Sequence, residues 1–215
     1  MKQVPHDLNQ LDPIKYLCAI DSNLSKLISF IGPLNHSPPA DKFTFLVKQV
    51  IGQMLSLNAG RKIFERLNNI CNGSISIETL NSLSDEELKS CGTSTAKVSC
   101  IRSLIQSIQT NQLKLDEFEN MDDKEIIKNL SSIKGIGIWT SKMYLLCVLN
   151  RQDVLPFEDA CFVNAYCWMY ATKDRSKSSI INTCSKWSPY SSIATRYLFK
   201  SVEMGLTKTD FSSLS

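Results

Sequence analysis

Leu130–Leu146 reads LSSIKGIGIWTSKMYLL. Ile126, Ile127, Leu130 and Ile133 recur at helical spacing and give one apolar face, which Lys134-Gly135-Ile136-Gly137 then interrupts. A second apolar series follows at once through Trp139, Met143, Leu146 and Val148/Leu149, with Thr140, Ser141 and Lys142 in its first turn. The pattern predicts helix, hairpin, helix across 130–150.

Two glycines around one aliphatic residue let the backbone turn sharply and bring bare amides close to a ligand. Those amides stand at a helix N-terminus, where unpaired N–H groups and the macrodipole favour an anion. With Lys134 and Lys142 nearby, the anion that fits is a phosphate. A tight turn between two helices, with glycines serving only packing, is the other reading of the same residues.

The chain on either side is also helical. Asp12-Pro13 is a cap with proline at the first helical position, and Ile14, Leu17, Cys18, Leu24, Leu27, Ile28 and Ile31 continue one stripe as far as Gly32-Pro33. Asp41 caps a helix through Phe43, Leu46, Val47, Val50 and Ile51. Ala59 to Asn72 is a helix, Ser84-Asp85-Glu86-Glu87 is a capping box, and Ser94 opens a helix through Ile101, Leu104, Ile105 and Ile108. Beyond the hairpin, Gln152 to Phe157 is extended, Asp159 to Tyr170 is helical, and Lys173–Ser179 (KDRSKSS) is a basic loop. Trp187-Ser188-Pro189-Tyr190 leads into a last helix through Tyr197 and Val202. No segment alternates with period two, so the chain reads as all-α.

A length of 215 residues with 43% hydrophobic content suffices for a buried core without staples. No apolar run reaches the roughly 18 residues a membrane span needs. The polar start MKQVPHDLNQ lacks a signal-peptide pattern. The expectation is an intracellular protein (cytoplasm, nucleoid or nucleus), monomeric, with no membrane partner. The net charge of +3 permits nucleic-acid binding. The eight cysteines (18, 71, 91, 100, 147, 161, 167 and 184) include no C-x-x-C pair and read as reduced thiols. The only histidines, His6 and His36, have no ligand partner nearby, so no metal site is expected.

The run LxxIKGIGxWTxxMxLL, followed by Asp153-Val154-Leu155-Pro156 and the acidic pair Glu158-Asp159, resembles the helix-hairpin-helix DNA glycosylase superfamily. Within it, the chain is similar to the monofunctional alkylation-repair branch, the AlkA-like DNA-3-methyladenine glycosylases. The resemblance implies two helical lobes with a cleft between them. Residues 1–40 would begin the first lobe, 41–135 would form the central lobe with the start of the hairpin motif, and 136–215 would complete the first lobe.

The partner it implies is double-stranded DNA containing a damaged base, with Lys134, Gly135, Gly137, Thr140 and Lys142 gripping the backbone. Gln53-x-x-Ser56-x-x-Ala59 is similar to a family signature whose loop plugs the duplex after a base is flipped out. Met54 or Leu55 would be the wedge, and Gln53 would reach the opposite strand. Cys91-Gly92-Thr93-Ser94-x-x-Lys97 matches a further family segment and names no catalyst. No cofactor is implied beyond a sodium or potassium ion on the hairpin carbonyls, and the iron–sulfur cysteine spacing of some relatives is missing.

Cleaving an N-glycosidic bond builds positive charge on the sugar, and a carboxylate held against it stabilises that charge and orients water. Asp159 aligns with the family's catalytic aspartate, with Glu158 beside it. The same aspartate can also be a plain N-cap. The lysine nucleophile of glycosylase-lyases is replaced by Trp139, so the resemblance implies hydrolysis that leaves an abasic site. Trp139, Tyr190 and Trp187 would line or support the pocket, since an aromatic face attracts a base made cationic by alkylation. Phe45 and Tyr144 are weaker pocket candidates. Two positions depart from the family pattern: Ser191 replaces an arginine, and Lys134 replaces a proline. The expected substrates are 3-methyladenine and 7-methylguanine. A glycosylase for deaminated or oxidised bases, or a helix-hairpin-helix DNA-binding module without activity, are the alternatives.

Overall fold

The computed structural model describes residues 12–214; His6 and the polar start lie outside them. Among the described residues there are α-helices and short 3-10 turns and no strand. None of the helices is long and apolar enough to cross a membrane. The contacts divide the described residues into an outer unit, 12–37 with 151–214, and a central unit, 38–150.

The outer unit begins with α1 (Pro13–Ile20) and α2 (Ser22–Ile31). The sequence predicts one helix here, and Asp21 divides it. Its backbone is extended (φ −142°, ψ 104°), and its carboxylate accepts the Leu24 amide at 3.1 Å, so it caps α2 where α1 stops.

The central unit runs through α3 (Lys42–Gly52), α4 (Leu57–Ile70), α5 (Ile77–Ser82), α6 (Asp85–Ser90), α7 (Thr95–Gln109), α8 (Asp123–Ser131) and α9 (Ile138–Cys147). Leu46, Val47, Val50 and Ile51 of α3 are buried, as are Ile101, Leu104 and Ile105 of α7 and Tyr144, Leu145 and Leu146 of α9. Gly60 brings α4 onto α3: a Cβ there would lie 3.3 Å from the Gly52 Cα. Helices α8 and α9 pack on each other. The division between units therefore falls after Asn150, and the second hairpin helix stays with the central unit, where the sequence reading had assigned it to the outer one.

The chain returns to the outer unit through α10 (Ala160–Met169), α11 (Lys177–Cys184) and α12 (Ser191–Glu203). Leu17, Leu24, Leu27, Phe162, Tyr166, Trp187 and Leu198 form its core, so the first and last parts of the chain share one apolar interior. The basic loop is shorter than the sequence suggests, because Ser176 caps α11 through the Ser179 amide.

Candidate nucleic-acid interface and carboxylate

In the central unit the hairpin is anchored by Ile133 and Ile136, both almost fully buried. Gly135 has φ +92°, a conformation that glycine adopts without the clash a side chain brings. A Cβ there would also sit 2.8 Å from the Cβ and Sγ of Cys100, which α7 places beneath the loop. Burial pushes the Cys100 thiol up to about 11, so it packs as a neutral apolar group. Gly137 is the N-cap of α9 and offers no side chain to the helix's first amides. Its carbonyl accepts from the Ser141 hydroxyl at 3.0 Å. Lys134 is exposed beside the turn, and Lys142 is half-buried one turn along.

Gln53 follows the end of α3 and is turned toward this loop. Its amide nitrogen donates to the Gly135 carbonyl at 3.0 Å and to the Thr140 hydroxyl at 3.1 Å. The expectation aims this side chain at the opposite DNA strand; these two bonds also tie α3 to the hairpin. Thr140 is not a surface contact, since its side chain is 1% exposed. Lys97 donates to the Ile51 carbonyl at 2.7 Å, a cation on the open C-terminal end of α3. That accounts for the lysine of the Gly92 to Lys97 segment, which sequence reasoning had left without a role.

Held between these fixed points, Met54 adopts φ +57° and is 101% exposed. Leu55 is 39% exposed. Methionine rarely adopts this left-handed conformation. Of the two candidate wedges, Met54 is the side chain presented outward.

In the outer unit, the extended passage before α10 is stitched to the start of α12. The Ser192 amide donates to the Gln152 carbonyl and the Ser192 hydroxyl accepts from the Val154 amide, both at 2.9 Å. Asp153 accepts from the Ser188 hydroxyl at 2.6 Å and from the Ser191 hydroxyl and amide. This framework delivers Asp159 to the N-terminus of α10, where it is 9% exposed and accepts the Phe162 amide at 2.8 Å. Glu158, one residue earlier, is exposed.

A model of the HhH-GPD superfamily of base excision DNA repair proteins matches residues 47–189. This chain belongs to that superfamily. Among curated relatives, "DNA-3-methyladenine glycosylase 1" of Schizosaccharomyces pombe is 27% identical over 88% of this chain and 86% of its own length. A solved structure of the S. pombe 3-methyladenine DNA glycosylase in complex with abasic DNA superposes with TM-score 0.82 at 28% identity, over 89% of this chain and 96% of that one. A DNA-3-methyladenine glycosidase from Bacillus halodurans gives TM-score 0.78 at 27% identity, over 96% of each chain.

Within this HhH-GPD chain the aromatic residues separate into two roles. Trp139 stands two places into α9 and is half-buried, and Tyr190 is half-buried at the N-cap of α12, edge-on to Tyr16 with ring centroids 5.4 Å apart. Of the two roles expected of Trp187, lining or supporting a pocket, burial leaves only the second. It is 0% exposed, and its indole N–H donates to Asp21 at 2.8 Å. Phe45 and Tyr144 are buried against each other in the central core. At the departing position, Ser191 is 5% exposed and bonded to Asp153, so a local hydrogen bond holds the place where the family pattern writes a larger cation.

Sequence reasoning missed Asp21 altogether. It accepts from Leu24, Trp187 and Lys186 and from the Tyr170 hydroxyl, bringing residues from both ends of the chain onto one carboxylate. The only signal for it was Asp21-Ser22-Asn23, a run of helix-capping residue types inside an otherwise continuous apolar stripe.

Proposed function

We infer that this HhH-GPD protein is a monofunctional DNA glycosylase that removes alkylated purines, 3-methyladenine first and 7-methylguanine with it, and leaves an abasic site. The observation that carries the reading is Asp159: a nearly buried carboxylate, oriented by the Phe162 amide at a helix start. A carboxylate in such surroundings acts on developing positive charge more strongly than it would in water.

In the reaction the bond between the sugar C1′ and the base nitrogen breaks, and its electron pair neutralises the cationic alkylated base. Water then bonds to C1′ and releases a proton to the solvent, with Asp159 stabilising the charged sugar and orienting the water. Such a base is already a good leaving group, so one carboxylate and an exclusion of solvent suffice. Trp139 provides no amine to attack the sugar, which favours hydrolysis over a lyase step. By the family resemblance, Trp139 and Tyr190 would each offer an aromatic face to a cationic base.

The damaged duplex is gripped at Gly135, Gly137 and the open start of α9, with Lys134 and Lys142 adding charge, and Met54 fills the space left by the extruded nucleotide. A sodium or potassium ion would be held by hairpin carbonyls. Those of Ile133 and Gly135 each accept one protein hydrogen bond and keep a second lone pair for such an ion. The protein works as a monomer.

The test is chromatography of bases released from methylated DNA by the wild type and by Asp159→Asn. The wild type is expected to free 3-methyladenine, and the variant to bind the same duplex while releasing base at least about 100-fold more slowly. Release by the variant at the wild-type rate would remove Asp159 from the chemistry. Binding without release by either protein would leave a DNA-binding module.

A further inference from the structure

The basic run Lys173–Ser179 is not absorbed by the reading above, yet it is not loosely attached. After α10 ends, the chain turns back and runs antiparallel along that helix. The Thr172 amide donates to the Cys167 carbonyl at 3.0 Å, and the Cys167 thiol faces the Asp174 carbonyl at 3.9 Å. One turn nearer the helix start, the Arg175 guanidinium donates to the Asn164 side chain at 2.7 Å. At the helix start itself, the Lys177 ammonium lies 4.6 Å from the centroid of the Phe157 ring. Phe157 precedes Asp159 by two residues. The return strap therefore lays its cations in a row along the outer side of α10, ending beside the segment that carries the carboxylate.

Three features separate this row from an ordinary solvated loop. Both Arg175 and Lys177 are exposed and yet seated, and the seats are neutral: an amide and a ring. The single acid in the run, Asp174, is exposed and commits a carboxylate oxygen to the Ser176 amide at 2.8 Å, at the start of α11. A cation parked on a ring or an amide also keeps donor capacity for a second, anionic partner.

We propose that the Lys173–Lys177 strap is a second DNA-backbone contact of this protein, in which Arg175 and Lys177 each bind a phosphate flanking the nucleotide presented to Asp159. This rests on the glycosylase reading for the identity of the polyanion. Its function would be to hold the sugar of the target nucleotide against α10, while the hairpin supplies its own, separate grip from the central unit. Arg175 and Lys177 are positioning residues, since neither is placed on the reacting atoms.

Each phosphate neutralised by a protein cation releases counterions and adds about 0.9 to the slope of log K against log salt. The experiment measures that slope for a duplex containing a stable abasic-site analogue, with the wild type, Arg175→Gln/Lys177→Gln and the charge-conserving Arg175→Lys/Lys177→Arg. In parallel, base release from methylated DNA is followed. The proposal expects the Gln pair to lower the slope by about 1.8 at unchanged thermal stability, and the conservative pair to keep most of it. It also expects base release by the Gln pair to fall chiefly through a raised KM. A slope equal to that of the wild type in the Gln pair would overturn the strap, even with base release intact. A wild type that releases no base but loses slope on mutation would overturn the glycosylase reading and leave the strap standing.

Discussion

Single residues account for most of the hairpin's geometry, and Gly135 shows how. Its φ of +92° and the 2.8 Å approach to Cys100 are separate constraints: one belongs to the residue's own backbone, the other to a neighbour on α7. Gly135→Ala is expected to cost about 3 kcal/mol in urea unfolding, combining a left-handed alanine with an overpacked contact. In a Cys100→Gly background the steric part disappears, and the same substitution should cost only about 1–2 kcal/mol. Equal costs in both backgrounds would show that the contact with Cys100 is harmless. The requirement for glycine here was legible in the sequence, because G-I-G between two apolar series has few other uses. The reason Cys100 lies beneath it was not, since residues 35 positions apart meet only through tertiary packing.

At the scale of elements, helix boundaries followed from local chemistry where a cap was unambiguous. Asp12, Asp41, Ser84 and Ser94 each hold an amide at the start of the helix they were expected to open. The stripe from Ile14 to Ile31 misled, because apolar periodicity passes through Asp21 unbroken while the backbone does not. Gln53 was legible in part: a polar residue at the end of a helix and next to an exposed methionine reads as a ligand contact, and three-dimensional proximity adds bonds to the hairpin. Gln53→Ala should therefore loosen the join between α3 and the loop. About 1–2 kcal/mol of stability should be lost, and amide exchange across Gly135–Thr140 should quicken, with duplex binding weakened several-fold whatever the sequence. Unchanged stability and exchange with weakened binding would return Gln53 to the role of a direct DNA contact.

At the scale of the whole molecule, the outer unit is built from two stretches separated by more than a hundred residues, and Asp21 is where they are tied. Burial opposes ionisation of its carboxyl, but the Tyr170 hydroxyl, the Trp187 indole, the Leu24 amide and the Lys186 ammonium outweigh it and hold the group below the ordinary carboxylate range. A carboxylate whose folded value is depressed stabilises the fold above its unfolded value, near 3.9, and that contribution disappears as pH falls through the folded value beneath it. Asp21→Asn keeps the shape and removes the charge. It leaves the Lys186 ammonium without its partner and gives the Tyr170 and Trp187 donors a poorer acceptor. At pH 7 the variant should be less stable by about 3 kcal/mol. As pH drops below about 4 the gap should narrow, because the wild type then protonates Asp21 and approaches the neutral state the variant already occupies. Urea unfolding of both proteins from pH 7 to pH 3 tests this. Parallel stability curves across that range would mean that Asp21 ties the two stretches by packing alone and that its charge contributes nothing.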